Sequence, residues 1–227
     1  MLFNSEAWHG LTNAHVKQLE MIDNQLLRKI FNAHSKTSTA FLHLETGTMP
    51  IKFIIASRRL NFLHNIIRRD ESELINRVFT AQCESPSDGD FVKLIEEDFL
   101  LINETFDKSK IKSMSKKEFK KWVKARINKA AFNYLLQEKE KQSKIKNIKY
   151  KKFQMQNYLK SKLFSNDDIE LLCKLRSKMI DLTANFSKKY SNNIVCSIDG
   201  CHFEESQEHL MTTCQPVSYT HLRAHEP

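Results

Sequence analysis

The chain has 227 residues, enough to bury one large core or two small ones. Four glycines, four prolines and little strand-like alternation make the expected fold class all-α, and no apolar run approaches the ~20 residues that a membrane span requires. The net charge of +9 is uneven: residues 1–107 carry 11 basic against 15 acidic side chains, residues 108–162 carry 19 against 3, and residues 163–227 carry 6 against 9.

The first helix is expected to start at Thr12 as N-cap, with Val16, Leu19, Ile22, Leu26 and Ile30 forming one buried face. A loop through Ser35 to Ser38 precedes a short apolar segment, Phe41 to Leu44, closed by Gly47. Pro50 suits the first turn of a long helix with Ile51, Ile54, Leu60, Leu63 and Ile67 inside. Arg58, Arg59, Arg68 and Arg69 then fall outside as a solvated face, close to Asp70, Glu71 and Glu73. Ser72 is expected to cap a helix through Leu74, Ile75, Val78 and Phe79, and Ser85-Pro86-Ser87-Asp88-Gly89 is a turn by its chemistry. From Asp90 a further helix buries Phe91, Leu94, Ile95, Phe99 and Ile102. Its Glu96, Glu97 and Asp98 form a charged outer face rather than a cation site, because neighbouring helical residues diverge by about 100°.

The basic segment opens on a capping box, Ser115 to Glu118. Behind it Phe119, Trp122, Val123, Ile127, Ala130 and Tyr134 make the buried stripe, and Lys117, Lys120, Lys121 and Lys124, with Lys116 adjoining, share the opposite face. A polyanion is the natural counterpart of such a ridge, and lysine suits sequence-independent phosphate contact better than base reading. Nucleic acid is the expected partner; a membrane surface is the rival polyanion, against which the interrupted apolar face argues. A lysine run follows, and Lys144, Lys146, Lys149, Lys151 and Lys152 join the expected phosphate-binding set. Tyr150, beside Phe153, either stacks on unpaired bases or makes a core contact; both readings stand. The last helix opens at Ser165 and continues through Ile169, Leu172, Leu175 and Met179.

Near the C-terminus Cys196, Cys201, His209 and Cys214 are spaced C-x4-C-x7-H-x4-C. Two close ligand pairs separated by a loop let a short segment wrap three thiolates and one imidazole around a tetrahedral ion, so structural Zn2+ is the expected cofactor. Gly200 eases the turn beside Cys201, and His202 is the one competing ligand, set aside because it adjoins Cys201 directly. Cys83 and Cys173 sit in apolar helical patterns, and the N-terminus lacks a basic region followed by an apolar stretch. Reduced thiols and a nuclear or cytoplasmic ribonucleoprotein are therefore expected, not secretion.

Catalytic motifs are scarce. Asp167-Asp168 could hold two Mg2+ in a polymerase only from a β-hairpin between apolar strands, whereas here it opens an amphipathic helix. Phosphate-binding glycine loops and nucleophile elbows do not occur.

The strings NSEAWHGLT, LEMIDNQLLRKIF, HLETGTMPIKFIIASRRLNFLH and GDFVKLIEEDF, in that order before the cysteine array, resemble the region downstream of the polymerase palm in LINE-type non-LTR retrotransposon reverse transcriptases, over about residues 4–216. The resemblance implies a thumb and cysteine-rich end that hold template RNA or target DNA, with the endonuclease and RNA-directed DNA polymerase parts lying upstream of Met1. Two departures accompany it. The family's catalytic aspartates have no counterpart, which implies no polymerase activity by this chain alone, and the first cysteine pair is one residue wider than C-x3-C. Residues 217–227, VSYTHLRAHEP, resemble the translation of a sequencing-library adapter and are left out of the fold and metal reading. The expected organisation is a helical thumb-like region over 1–107, a basic helical region over 108–192, a CCHC knuckle over 193–216 and the adapter-like tail. The alternative to nucleic-acid binding is a helical protein-interaction scaffold with a solubilising lysine surface.

Overall fold

A computed structural model describes residues 12–182, 184–186, 189, 195–196 and 201–214. The adapter-like tail, Gly200 and most of the NSEAWHGLT string lie outside them. The described residues are mostly helical, in line with the expected class: α1 (Asn13–Ile30), α2 (Thr39–Thr46), α3 (Ile51–Ile67), α4 (Leu74–Glu84), α5 (Phe91–Leu101), α6 (Lys108–Ser113), α7 (Lys116–Glu140), α8 (Asn157–Lys160), α9 (Asn166–Arg176) and a π-helical turn, His209–Thr213.

Capping chemistry sets many of these boundaries. Thr12, Ser115 and Ser165 each close a capping box at the start of α1, α7 and α9. Asp168 is the partner of Ser165, and hydrogen bonds from the Ser165 hydroxyl and amide hold its carboxyl below the ordinary carboxylate range. That is a capping role, at odds with ion binding. Gly47 ends α2 at φ +67, and a Cβ there would lie 2.5 Å from the backbone nitrogen of Met155. Both the left-handed turn and the close chain crossing require glycine.

Helix α3 is the axis of the fold. Its buried residues, among them Phe53, Ala56, Leu60, Leu63 and Ile67, run around its circumference, because α1, α4, α5, α6 and α7 all pack on it. With Phe79, Ile95, Phe99, Phe119, Val123 and Ile127 they form the largest core cluster. Each fully buried Val, Leu, Ile or Phe side chain among them contributes about 1.5–3 kcal/mol. The cluster runs from α3 through α7, so the boundary drawn at residue 107 marks a change of charge and not of packing. A second cluster joins Leu27, Phe31, Phe41 and Leu42 to Ile145 and Cys173, bringing α9 back onto the first two helices.

Several expected faces are rotated. On α1, Ile22, Leu26 and Ile30 are 60%, 56% and 65% exposed, while Leu27 and Phe31 point inward. Polar contacts turn the helix: Asp23 lies 3.8 Å from the buried His43, and Arg28 donates to the carbonyl of Thr37. On α4, Leu74 and Val78 face outward and Phe79 and Asn76 inward, with the Asn76 amide donating to the Arg69 carbonyl. Ser72 is not the cap of α4, because its hydroxyl and amide are both engaged by Asp70.

The arginine face and the acidic face also need correction. Arg59 and Asp98 are buried, and the guanidinium meets the carboxylate in a two-point fork, Nε to Oδ2 at 2.7 Å and Nη2 to Oδ1 at 2.6 Å. Burial pushes the Asp98 carboxyl up, while the Arg59 fork pulls it the other way. Each residue was expected in solvent because the other, 39 positions away, is invisible to helical periodicity.

Candidate metal centre and basic face

An isolated antiparallel bridge flanks Cys196 and Cys201. Val195 and Glu204 form an antiparallel bridge, and the Cys196 amide donates to the Phe203 carbonyl at 2.8 Å. The π-helical turn then presents His209 and Cys214, the Cys214 amide donating to the His209 carbonyl at 2.8 Å. All four side chains are buried, and one ligand atom from each lies within 4.8 Å of every other. Cys201 Sγ and His209 Nε2 are 3.0 Å apart.

This donor set suits a closed tetrahedral site. Bonds of about 2.3 Å to sulfur and about 2.0–2.1 Å to nitrogen place ligand atoms about 3.5–3.8 Å apart, so shifts of about half an ångström complete the shell. The imidazole is oriented for the task. Its Nδ1 lies 3.0 Å from Thr213 Oγ1, and that hydroxyl donates to the His209 carbonyl at 3.3 Å. The hydroxyl is therefore an acceptor toward Nδ1–H, which leaves the Nε2 lone pair for a metal. Thr213 escaped the sequence reading, although a threonine four residues after a ligating histidine in a helical turn is the available signal. Cys214, on the same turn, closes the shell. His202 is exposed and takes no part.

The knuckle is seated on the end of α9. Gln207 donates to the Leu175 carbonyl at 2.9 Å, and the Ala184 amide donates to the Glu205 carbonyl at 3.3 Å.

The expected phosphate-binding residues divide into two kinds. Lys116, Lys117, Lys120, Lys121 and Lys124 are all exposed on the first half of α7, and their ammonium groups make no ion pair or hydrogen bond with any described residue. Lys146, Lys149, Lys151 and Lys152 are exposed in the loop after α7, likewise without a carboxylate partner.

Lys144 and Tyr150 are engaged inside the molecule. Lys144 donates to the carbonyls of Lys178 and Asn185 and lies 4.7 Å from the centroid of the Phe186 ring. The Tyr150 hydroxyl donates to Glu45 at 2.5 Å, and its ring packs with Leu44, Leu135 and Phe153. Of the two readings of Tyr150, the core contact is therefore the one realised. Burial and the Glu45 carboxylate push the Tyr150 phenol up. Arg176 completes this buried cluster, its guanidinium donating to Glu45 from Nη2 at 2.9 Å and from Nε at 3.2 Å. Lys139, within the same lysine run, is buried and donates to the carbonyls of Lys146 and Ile148, so it folds the loop and does not face solvent.

Comparison with protein families, with curated proteins and with solved structures finds no match to this chain.

Proposed function

We propose that this chain is a non-catalytic nucleic-acid-binding module that grips RNA or DNA through its phosphates and carries a structural Zn2+ in the knuckle of Cys196, Cys201, His209 and Cys214. The observation that carries the reading is the ridge of Lys116, Lys117, Lys120, Lys121 and Lys124: five exposed amines on one helix that make no ion pair with any described residue. Charge of this kind repels itself, and binding a polyanion relieves the repulsion while releasing condensed counterions. Three thiolates and one imidazole in a buried shell favour zinc, and they leave no open position for a reacting water. The order of sequence strings supports a place in the thumb and cysteine-rich end of a LINE-type reverse transcriptase, whose polymerase and endonuclease parts would be supplied by the rest of the element.

A salt titration tests the reading. The logarithm of affinity for RNA or DNA oligonucleotides of unrelated sequence is expected to fall steeply and linearly with the logarithm of salt, and Lys117→Gln with Lys121→Gln is expected to flatten the slope by about 0.7 per lysine on a single strand. A flat response in the parent protein would sink it.

A second reading, a helical protein-interaction scaffold, draws on a different observation: Met21, Ile22, Leu26 and Ile30 leave one side of α1 apolar and exposed. It predicts oligonucleotide binding that is weak and indifferent to the α7 lysines.

A further inference from the structure

The second half of the basic segment does more than extend the α7 ridge. Lys144 lies against the Phe186 ring, and two lysines distant from it in sequence, Lys36 and Lys178, are its neighbours in charge. Lys144, in the loop after α7, places its ammonium 4.7 Å from that ring's centroid. His34 lies tilted against the same ring, centroids 5.4 Å apart, and accepts from the Lys36 amide through Nδ1, which brings the turn bearing Lys36 to this spot. Lys178 follows α9 immediately, and its carbonyl accepts from Lys144. Burial first, and then the nearby charges of Lys36 and Lys178, push the Lys144 ammonium below its ordinary range. Lys36 and Lys178 are exposed, and neither ammonium has a partner among the described residues. A surface that only needed solubility would spread these charges.

Lys178 also holds a costly backbone. It sits at φ +53, in the left-handed position that closes α9: its amide donates to the Leu175 carbonyl, and the Met179 amide donates to the Lys174 carbonyl. Glycine takes this position without strain and lysine does not. Local strain retained at a charged residue is the pattern expected where the side chain serves a ligand. Beside Lys144 and Lys178 opens a cavity of about 610 Å3 with Asn147, Asn185 and Gln207 in its wall. That volume lies in the range of small-ligand sites, about 300–1,000 Å3. Glu204 and Glu208 line its knuckle side. An anion entering it is therefore driven toward the lysine wall.

We infer that Lys36, Lys144 and Lys178 form a second, recessed phosphate site, which takes one phosphodiester of a single-stranded nucleic acid while the amides of the cleft wall face the attached nucleoside. The site rests on the nucleic-acid reading above but adds a contact point separate from the α7 ridge. Lys144 is the fixed member, tethered by the Asn185 carbonyl at 2.9 Å; Lys178 lines the same cleft, and Lys36 stands at its margin on the turn that carries His34. Single strands fit better than duplex, because an unpaired nucleotide can enter a cleft.

The test uses the full chain and a fluorescent 20-nucleotide oligouridine, with anisotropy followed against salt. Lys178→Gly removes the amine and the strain together, so its urea midpoint is expected to hold or rise while affinity falls by about fivefold at 0.1 M salt. Adding Lys36→Gln is expected to lower the salt slope by about 1.4 in total. An unchanged slope in the double variant, alongside a lowered slope in Lys117→Gln with Lys121→Gln, would place all binding on α7 and overturn this site while leaving the proposed function intact. If the parent protein binds no oligonucleotide, both fall. Loss of binding to phosphatidylserine vesicles with oligouridine binding unchanged would assign the cluster to a lipid surface and also overturn it.

Discussion

Arg59 and Asp98 show what a single residue pair does to a sequence reading. Helical spacing assigns a side chain to a face from its own neighbours, and it treats charge as a mark of solvent. Both residues obey that rule locally and break it together, since a guanidinium fork on a carboxylate satisfies two buried charges that neither could sustain alone. The pair ties α3 to α5 at a fixed register. Asp98→Ala leaves the Arg59 charge buried and unmatched, and is expected to cost about 3–5 kcal/mol in urea denaturation. Arg59→Leu with Asp98→Leu is expected to recover most of that loss, because no lone charge remains. A loss in Asp98→Ala below 1 kcal/mol would mean that water reaches the pair. The knuckle lies at the opposite extreme. Cys196, Cys201, His209 and Cys214 were legible because metal ligation imposes its own short-range spacing, independent of which way any helix faces. Thr213 was not, because a hydroxyl that orients an imidazole leaves no constraint beyond its position on the same turn.

Among the elements, α7 gives the clearest account of why a capping box could be read and a buried stripe could not. Ser115 and Glu118 satisfy each other's backbone donors within four residues, so the start of the helix is written locally. Its buried residues are Phe119, Val123, Ile127, Ala131, Leu135 and Lys139, a strict four-residue repeat. Four residues advance about 400° around a helix of 3.6 residues per turn, so the stripe drifts by about 40° at each step and winds about 200° from end to end. Its first half meets the large core around α3 and its second half meets α2, whose Ala40 and Leu44 pack against Leu135. A search for one straight face finds the first half and then follows Ala130 and Tyr134 instead of Ala131 and Leu135. The lysine ridge survives because it lies on that first half. Helix α1 errs more simply, by a rotation of about one residue. Leu26→Ala and Leu27→Ala are therefore an informative pair: the first is expected to change stability by less than about 0.5 kcal/mol, the second to cost about 2–5 kcal/mol. Equal losses in chemical denaturation would restore the straight stripe and refute the rotated face.

At the scale of the whole molecule, the chain is closed by contacts that no local pattern announces. Glu45 of α2 is fully buried and holds Arg176 at the end of α9, 131 residues away, together with the Tyr150 hydroxyl. Asn32, just past α1, donates to Glu170 of α9 at 2.9 Å. Beside this clasp Cys173 is buried deeply enough that its thiol is pushed up to about 12, which makes it an inert packing residue and no part of the metal set. The helical array is thus complete without the knuckle: the three large core clusters contain none of Cys196, Cys201, His209 and Cys214, which form a small cluster of their own with Leu210. A cluster of three cysteines and one leucine buries too little apolar surface to offset the ordering of its own chain, and the proposed ion would supply the difference. Removing it with a chelator is expected to raise amide exchange across residues 201–214 while the urea midpoint of the helical array moves by less than the scatter of repeat measurements. Cys201→Ser, which takes one thiolate from the shell, is expected to do the same without chelator and to lower bound zinc below one per chain. Stoichiometric zinc retained by Cys201→Ser would show that the ion is held elsewhere. Cooperative loss of the whole helical signal on chelation would show that the knuckle is coupled to α9 more tightly than the Gln207 bond to the Leu175 carbonyl accounts for.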